Sequence, residues 1–357
     1  MTRKLIIGLI AAVFWLTARP AVAVELCAAL DGSASVVWFG PVGNEFELQL
    51  EGLASAVENP LIVPPNGSVH LSVVTFGREV RTDLPSILID SPATAAGVAA
   101  AIRALPKPTF DFGHGTDMTL AMAACLEEFR DANDEWVIDI STDGGHNLTS
   151  QDFLLSARDD TLSAGLDVLN AIGVGEADLP SLGDLVWPQP VSSPPEKGFV
   201  IAVAGFPEYV DAMREKVRAE VQTVASLDIK PGSCPNSFNR TENGVLPVAV
   251  LGSVDLDVLE IDPSSIFLEG VAPVRWSYED VAAPVARSGA PESCLDCTED
   301  GPDGHLDLTL KFDAPSIAAL LGEFGRDDCT LLTLRGTLKP EYGGKAVTGE
   351  DTLRIVR

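Results

Sequence analysis

Positive charge is scarce in this chain: 24 Lys and Arg stand against 52 Asp and Glu, a formal net charge of -28 over 357 residues. A surface this acidic is repelled by phosphate backbones and anionic membranes, which excludes nucleic acid as a partner class. Beyond the N-terminus no apolar run approaches the roughly 20 residues that a spanning helix needs, so no membrane span is expected. Histidine occurs only four times. There is no G-x-S-x-G elbow and nothing marks a histidine as a base, so the chain is read as a binding protein rather than an enzyme.

What is present starts with a leader. Arg3 and Lys4 precede a mostly apolar run from Leu5 to Leu16, and Ala21-Val22-Ala23 forms an A-x-A cleavage site. Residues 1–23 therefore read as a signal peptide, with the mature chain starting near Val24 and exported to the periplasm or beyond. Losing Arg3, Lys4 and Arg19 makes the product more negative still. An acidic exported surface suits divalent cations, and equally suits mere solubility.

Six cysteines in an exported chain favour disulfides over metal thiolates. Cys27 and Cys125 fall in the first half; Cys234, Cys294, Cys297 and Cys329 fall in the second, so each half can pair internally. Cys294-Leu295-Asp296-Cys297 has the spacing of a redox or zinc motif, but no second CxxC exists and no strand-helix context surrounds it.

The periodicity divides the chain near residue 225. Before it, apolar strands alternate with amphipathic stretches: strands at 24–30, 69–76, 136–140, 167–174 and 199–204, and helices at 44–57, 92–105, 117–130, 152–164 and 208–224. Arg78 to Thr82 reads as a short antiparallel edge strand, Thr116 as the N-cap of the 117–130 helix, and the proline-rich 175–197 segment as an irregular loop. This rhythm predicts a doubly wound, mostly parallel α/β domain over 24–225. After it come short β-type runs at 227–230, 245–251, 265–268, 307–312, 331–338 and 352–356, separated by Gly, Pro, Asn and Asp clusters, with one helical stretch at 314–324. That texture predicts an antiparallel β-sandwich over 226–357.

The residues that could carry chemistry lie where strands end. Asp31-Gly32-Ser33-Ala34-Ser35 leaves the first strand, Gly115-Thr116-Asp117 opens a helix, and Ile138-Asp139-Ile140-Ser141-Thr142-Asp143 ends another strand in a carboxylate. Three hydroxyls and two carboxylates form a hard oxygen donor set suited to magnesium, manganese or calcium. Turns and N-caps favour the same residue types, so composition alone does not separate the two roles. His114 and His146 stand beside Thr116 and Asp143, and an apolar Val36-Val37-Trp38-Phe39-Gly40-Pro41 stretch follows Ser35. His114, His146 and Trp38 are candidate ligand contacts.

Those five residues in that strand context resemble the metal-ion-dependent adhesion site of von Willebrand factor A domains, most closely a secreted bacterial subgroup of unknown function. The resemblance covers about Val24 to Val224. It implies that Ser33, Ser35 and Thr116 would bind an ion directly, that Asp31 and Asp143 would complete or orient its shell, and that a partner's acidic group would fill an open coordination position.

The second half has a likeness of its own. Leu227-Asp228-Ile229-Lys230-Pro231-Gly232-Ser233-Cys234-Pro235-Asn236, Gly244 to Gly252, Ile261 to Ser265 and Asp300 to Asp307 resemble a β-rich module of secreted bacterial and archaeal proteins. Asp280, Asp300, Asp303 and Asp307, helped by nearby glycines, form a second candidate set for calcium; an acidic turn before a strand accounts for them equally well. Three functional readings follow. The favoured one is metal-dependent engagement of an extracellular or periplasmic protein or acidic glycan. The others are a secreted metal-dependent hydrolase and a passive envelope or matrix component.

Overall fold

The computed structural model describes residues 23–356 apart from 41–42, 193, 195–196, 242, 255, 286–290, 292 and 323–324. The leader up to Val22 lies outside the described residues, as do Pro41, Pro195 and Phe324 of the segments read above.

A six-stranded sheet organises the first half. Its strands are β1 (Val24–Asp31), β2 (Val69–Phe76), β3 (Val80–Leu88), β4 (Glu135–Thr142), β5 (Val168–Val174) and β6 (Val200–Val203), in the order β3-β2-β1-β4-β5-β6. All neighbours pair in parallel except β2 and β3. Central β1 is buried along its whole length, as expected of a parallel strand covered on both faces. On one face Val24, Leu26, Ala28 and Leu30 pack with helices α2 (Glu45–Val57), α3 (Pro92–Arg103) and α7 (Phe206–Val221). Cys27 and Ala29 point the other way, to α4 (Met118–Glu128), α5 (Gln151–Ser163) and α6 (Leu179–Leu185). A four-residue helix, α1 (Ala34–Val37), follows β1.

Several elements differ from the sequence reading. The antiparallel edge strand extends to Leu88, because its backbone follows β2 through a register shift despite Pro85. The segment expected to be irregular holds α6, whose start is capped by Asp178 accepting from the Ser181 amide. Asp117, not Thr116, caps α4: its carboxylate accepts from the Thr119 amide, which frees Thr116 for another role. The final helix stops at Val221, and residues 222–224 leave it as β7 (Gln222–Val224).

The second half is mostly antiparallel β, built on its own hydrophobic core. One sheet holds β8 (Leu227–Ile229), β10 (Val245–Val250), β12 (Arg275–Glu279) and β13 (Asp307–Asp313), in the order β12-β13-β10-β8. The other holds β7, β11 (Phe267–Leu268), β14 (Cys329–Thr337) and β15 (Ala346–Ile355), with β9 (Ser237–Phe238) beside β15. Among the described pairs of this half, β7 and β9 alone run parallel, both to β15. β12 was not foreseen, although its Arg-Trp-Ser-Tyr-Glu run alternates polar and aromatic residues; only two aromatics in a mostly exposed five-residue run mark it. Helix α8 (Ala314–Leu320) is the helical stretch expected there.

Three disulfides close within the halves: Cys27–Cys125, Cys234–Cys297 and Cys294–Cys329. The two cysteines of the CxxC thus bond to different partners, which removes the redox and zinc readings of that motif. The halves also touch each other. Gln222 donates to the carbonyls of Leu61 and Ile62 at 2.7 and 2.8 Å, Asn66 donates to the Gly344 carbonyl at 3.1 Å, and Lys345 Nζ pairs with Glu135 at 3.0 Å.

Candidate metal centre

The loops after β1 and β4 meet at the carboxyl edge of the sheet, where open α/β folds place ligands. Asp31 is wholly buried at the last position of β1. One carboxylate oxygen accepts the Ser33 amide at 2.6 Å and the other accepts the Thr142 hydroxyl at 2.5 Å, so β1 and β4 are tied at their ends. Gln49 holds the Asp31 backbone from α2, donating to its carbonyl at 2.8 Å. Ser33 and Ser35 then share a hydrogen bond of 3.0 Å, and the Ser35 hydroxyl donates to Asp143 Oδ1 at 2.8 Å. Four of the five residues are therefore linked through side chains.

Thr116 arrives by a different route. It is buried; its amide donates to the Asn147 side chain at 2.9 Å, and its carbonyl accepts the Asn147 amide at 3.1 Å, which ties it to the loop that follows Asp143. Three residues earlier, the Gly113 carbonyl accepts the Ala34 amide at 2.7 Å. A Cβ on Gly113 would stand 2.7 Å from the Gly32 carbonyl oxygen, so this crossing demands glycine. The Thr116 hydroxyl makes no hydrogen bond to Ser33 or Ser35 among the described residues. The sequence reading gave no site role to Gln49, Thr142 or Asn147: Thr142 and Asn147 adjoin candidate residues, while Gln49 carries no signal beyond being a polar residue in α2.

The electrostatics suit a cation. Burial, then the facing Asp143, push the Asp31 carboxyl up to about 6, although hydrogen bonds from Thr142 and Ser33 pull it back. Burial also raises Asp143, with nearby Glu45 adding to it and the Ser35 hydroxyl opposing. Two carboxyls that disfavour one another's charge, beside three hydroxyl groups, are a donor set that fits a hard divalent ion. Among the described residues, no group of three or more His, Cys, Asp or Glu side chains is placed to hold a metal, so any such site depends on the hydroxyls.

An open cleft of about 400 Å³ borders these loops, lined by Ala34, Phe39, Phe110, His114, Asn147 and Leu148 among others. Phe39 and Phe110 meet edge to face at 6.1 Å and both are exposed, Phe39 at 71%. His114 packs against Phe110 at 5.8 Å. Trp38 is exposed outside this lining, with Lys107 Nζ 5.7 Å from its ring centre. His146 turns inward instead: its Nδ1 accepts the Met118 amide at 3.2 Å and its Nε2 meets the Thr149 hydroxyl. Burial lowers its pKa against the pull of Asp117. His146 thus braces α4 rather than facing a ligand.

The acidic residues of the second half are occupied by backbone. Buried Asp307 accepts amides of Gly252, Val281 and Ala282 at 3.0, 2.7 and 3.2 Å. Asp280 accepts those of Asp303 and Gly304 at 3.0 and 2.8 Å, and Asp303 accepts that of His305 at 2.9 Å. The Asp300 amide donates to the Thr298 hydroxyl. The Asp307, Asp280 and Asp303 carboxylates thus hold backbone, and among the described residues no three such acids are grouped to hold a metal. Asp307→Ala is expected to cost about 3 kcal/mol, since it orphans three amides; a urea midpoint within error of the parent chain would refute that bracing role.

A six-stranded, mostly parallel sheet with helices on both faces is a doubly wound α/β fold, and here further β-sheets follow it. The chain belongs to the DUF1194 family of proteins of unknown function, whose profile matches residues 21–225. No curated protein matches it. Among solved structures it is similar to proximal thread matrix protein 1 of the mussel byssus with a zinc-occupied MIDAS motif: 20% identity, 56% of this chain, 46% of that one, TM-score 0.43. It is also similar to a von Willebrand factor type A protein of Catenulispora acidiphila: 14% identity, 94% and 66% covered, TM-score 0.44. A third is the pilus adhesin SpaC of Lactobacillus rhamnosus GG: 10% identity, 94% and 45% covered, TM-score 0.46. The chain spans about half the length of the mussel proteins it matches.

Proposed function

We propose that the chain is an exported binding protein whose A-type domain, residues 24–225, holds a divalent cation and through it engages an acidic group on an extracellular or periplasmic protein or glycan. The observation that carries this reading is the side-chain relay from Ser33 through Ser35 to Asp143, which joins loops 108 residues apart. Ser33, Ser35 and Thr116 would hold magnesium, manganese or calcium, with Asp31 and Asp143 completing or orienting the set. When bound, the ion supplies a coordination position that an acidic group takes in place of water.

The chain's own residues prepare that encounter. Thr142 and the Ser33 amide fix the Asp31 carboxylate, and the relay holds both serine hydroxyls at one point. Phe39, Phe110 and Leu148 flank the point with exposed apolar surface, fit to cover a neighbouring apolar part of the partner. No turnover is needed in this reading, and the β-rich module at 226–357 serves as an appended structural unit.

Calorimetry with magnesium, manganese and calcium tests it. Asp143→Ala and Ser33→Ala are each expected to weaken ion binding by at least about tenfold, since even outer partners of a metal site carry that much. Equal heats from the parent chain and both variants would sink the reading. Retention on cell-surface extracts should vanish with chelator, whereas steady turnover of ester, phosphate or peptide substrates would favour a hydrolase.

A further inference from the structure

The most unusual buried groups lie one layer away from the metal centre. Asp139 sits in the middle of β4 on the α7 side, 1% exposed, and Lys216 of α7 reaches it with no exposure at all. The Lys216 ammonium pairs with Asp139 Oδ1 and approaches the Ile140 carbonyl at 3.4 Å. Glu220 lies one helical turn further along α7, on the same face, and is also buried. Its position is dictated by strand register. Asn170 of β5 stands beside Asp139 and donates to Glu220 Oε1 at 3.0 Å. The Asn170 oxygen is taken by the amides of Gly198 and Phe199 at 2.9 and 3.1 Å, so its orientation is fixed.

This arrangement is hard to account for as a plain ion pair. The Lys216 ammonium faces two carboxyl groups without water access, with Lys345 adding a weaker pull on Glu220 alone, and desolvation costs several kcal/mol per ion in such places. Asp139 Oδ2 and Glu220 Oε2 are buried without a hydrogen-bond partner among the described residues. A nucleophilic amine, a carboxyl carbon and a second carboxyl that carries protons are the three parts of an amide-forming centre.

We propose that Lys216 and Asp139 become joined by an intramolecular amide bond, with Glu220 as the proton carrier, between β4 and α7. In the buried pair a proton passes from the Lys216 ammonium to the Asp139 carboxylate, which leaves both groups neutral. The Lys216 nitrogen lone pair attacks Asp139 Cγ, forming the C–N bond. Glu220 delivers its proton to the departing hydroxyl, the C–O bond breaks and water leaves. Glu220 then recovers a proton from the nitrogen, so it ends as it began and no oxidant or other reactant is consumed. Burial raises both Asp139 and Glu220, the latter to about 8, which keeps the acid and the carrier in the protonated form that this sequence uses. The product would lock α7 onto β4, the strand that leads to Asp143, across 77 residues of sequence.

Intact mass of the purified, fully reduced chain, with its N-terminus sequenced, decides the matter. The expected result is a mass about 18 Da, one water, below the sequence value, with a branched protease fragment linking the Asp139 and Lys216 peptides. Glu220→Gln is expected to return the full sequence mass while circular dichroism remains that of the parent. A parent chain at full mass would overturn the proposal, as would a water loss that fragmentation maps elsewhere, for instance to a succinimide at Asp143-Gly144. A linked Glu220→Gln chain would overturn the carrier role.

Discussion

Lys216→Met is expected to lower the folding free energy by about 3–5 kcal/mol or more, because it removes the buried partner of Asp139 and with it the tie between β4 and α7. Chemical denaturation at neutral pH measures it, and a midpoint unchanged from the parent would show that the pair does not hold α7 in place. The pH arm has a definite sign. Burial, with nearby Asp139, moves the Glu220 carboxyl up to about 8, so the folded chain keeps a proton that the unfolded chain releases near 4.5. That contribution to stability is whole below about pH 4.5 and is lost as pH rises through about 8, with a slope of up to about 1.4 kcal/mol per pH unit. Lys345, held down to about 8 by burial, acts in the opposite sense above that value, where the unfolded chain binds the extra proton. Glu220→Gln should therefore flatten the loss between pH 5 and 8 and leave the limb above pH 8 in place. A slope identical to that of the parent would remove Glu220 from this account.

Breaking the Cys27–Cys125 bridge should have an effect of similar size. The two residues are 98 apart in sequence and fully buried, and they fasten β1 to α4. Replacing both with alanine is expected to cost about 2–5 kcal/mol, through the freedom returned to the unfolded chain and the lost packing. Thermal unfolding of the double variant beside the parent would measure it. The consequence reaches the candidate site, since β1 and the loop after it deliver Asp31 and Ser33 while the loop before α4 delivers Thr116. Full retention of the melting temperature would mean that the hydrophobic contacts of this layer suffice without the bridge.

Much of the first half was legible because parallel strands covered on both faces read as unbroken apolar runs. Val69–Phe76 matches the residues read from sequence, and Val168–Val174 differs by one. The five candidate ligands were named from residue type and position: Asp31 and Asp143 close apolar runs at the sheet's carboxyl edge, whereas Thr116 only precedes a helix. What was not legible depended on partners far along the chain. Thr116 reads as an N-cap by residue type, yet the neighbouring Asp117 carboxylate takes that part. Asp307 reads equally as a calcium candidate and as the acid of a turn before a strand, and it is the fold that brings loops 26 and 55 residues away to supply amides to it. Asp139 and Asn170 carried the strongest overlooked signal, since a polar residue inside a doubly covered strand must find a buried partner. Only the fold shows that the partners are Lys216 and Glu220.

The junction between the halves has a mechanical meaning. α7 passes into β7 without an intervening loop, and β7 is bonded alongside β15 at Gln222, Thr223 and Val224. A tug applied at the rim of the first sheet, with the C-terminal half anchored, would travel along α7 and try to slide β7 past β15. Such loading sets several hydrogen bonds against the force at once instead of peeling them singly.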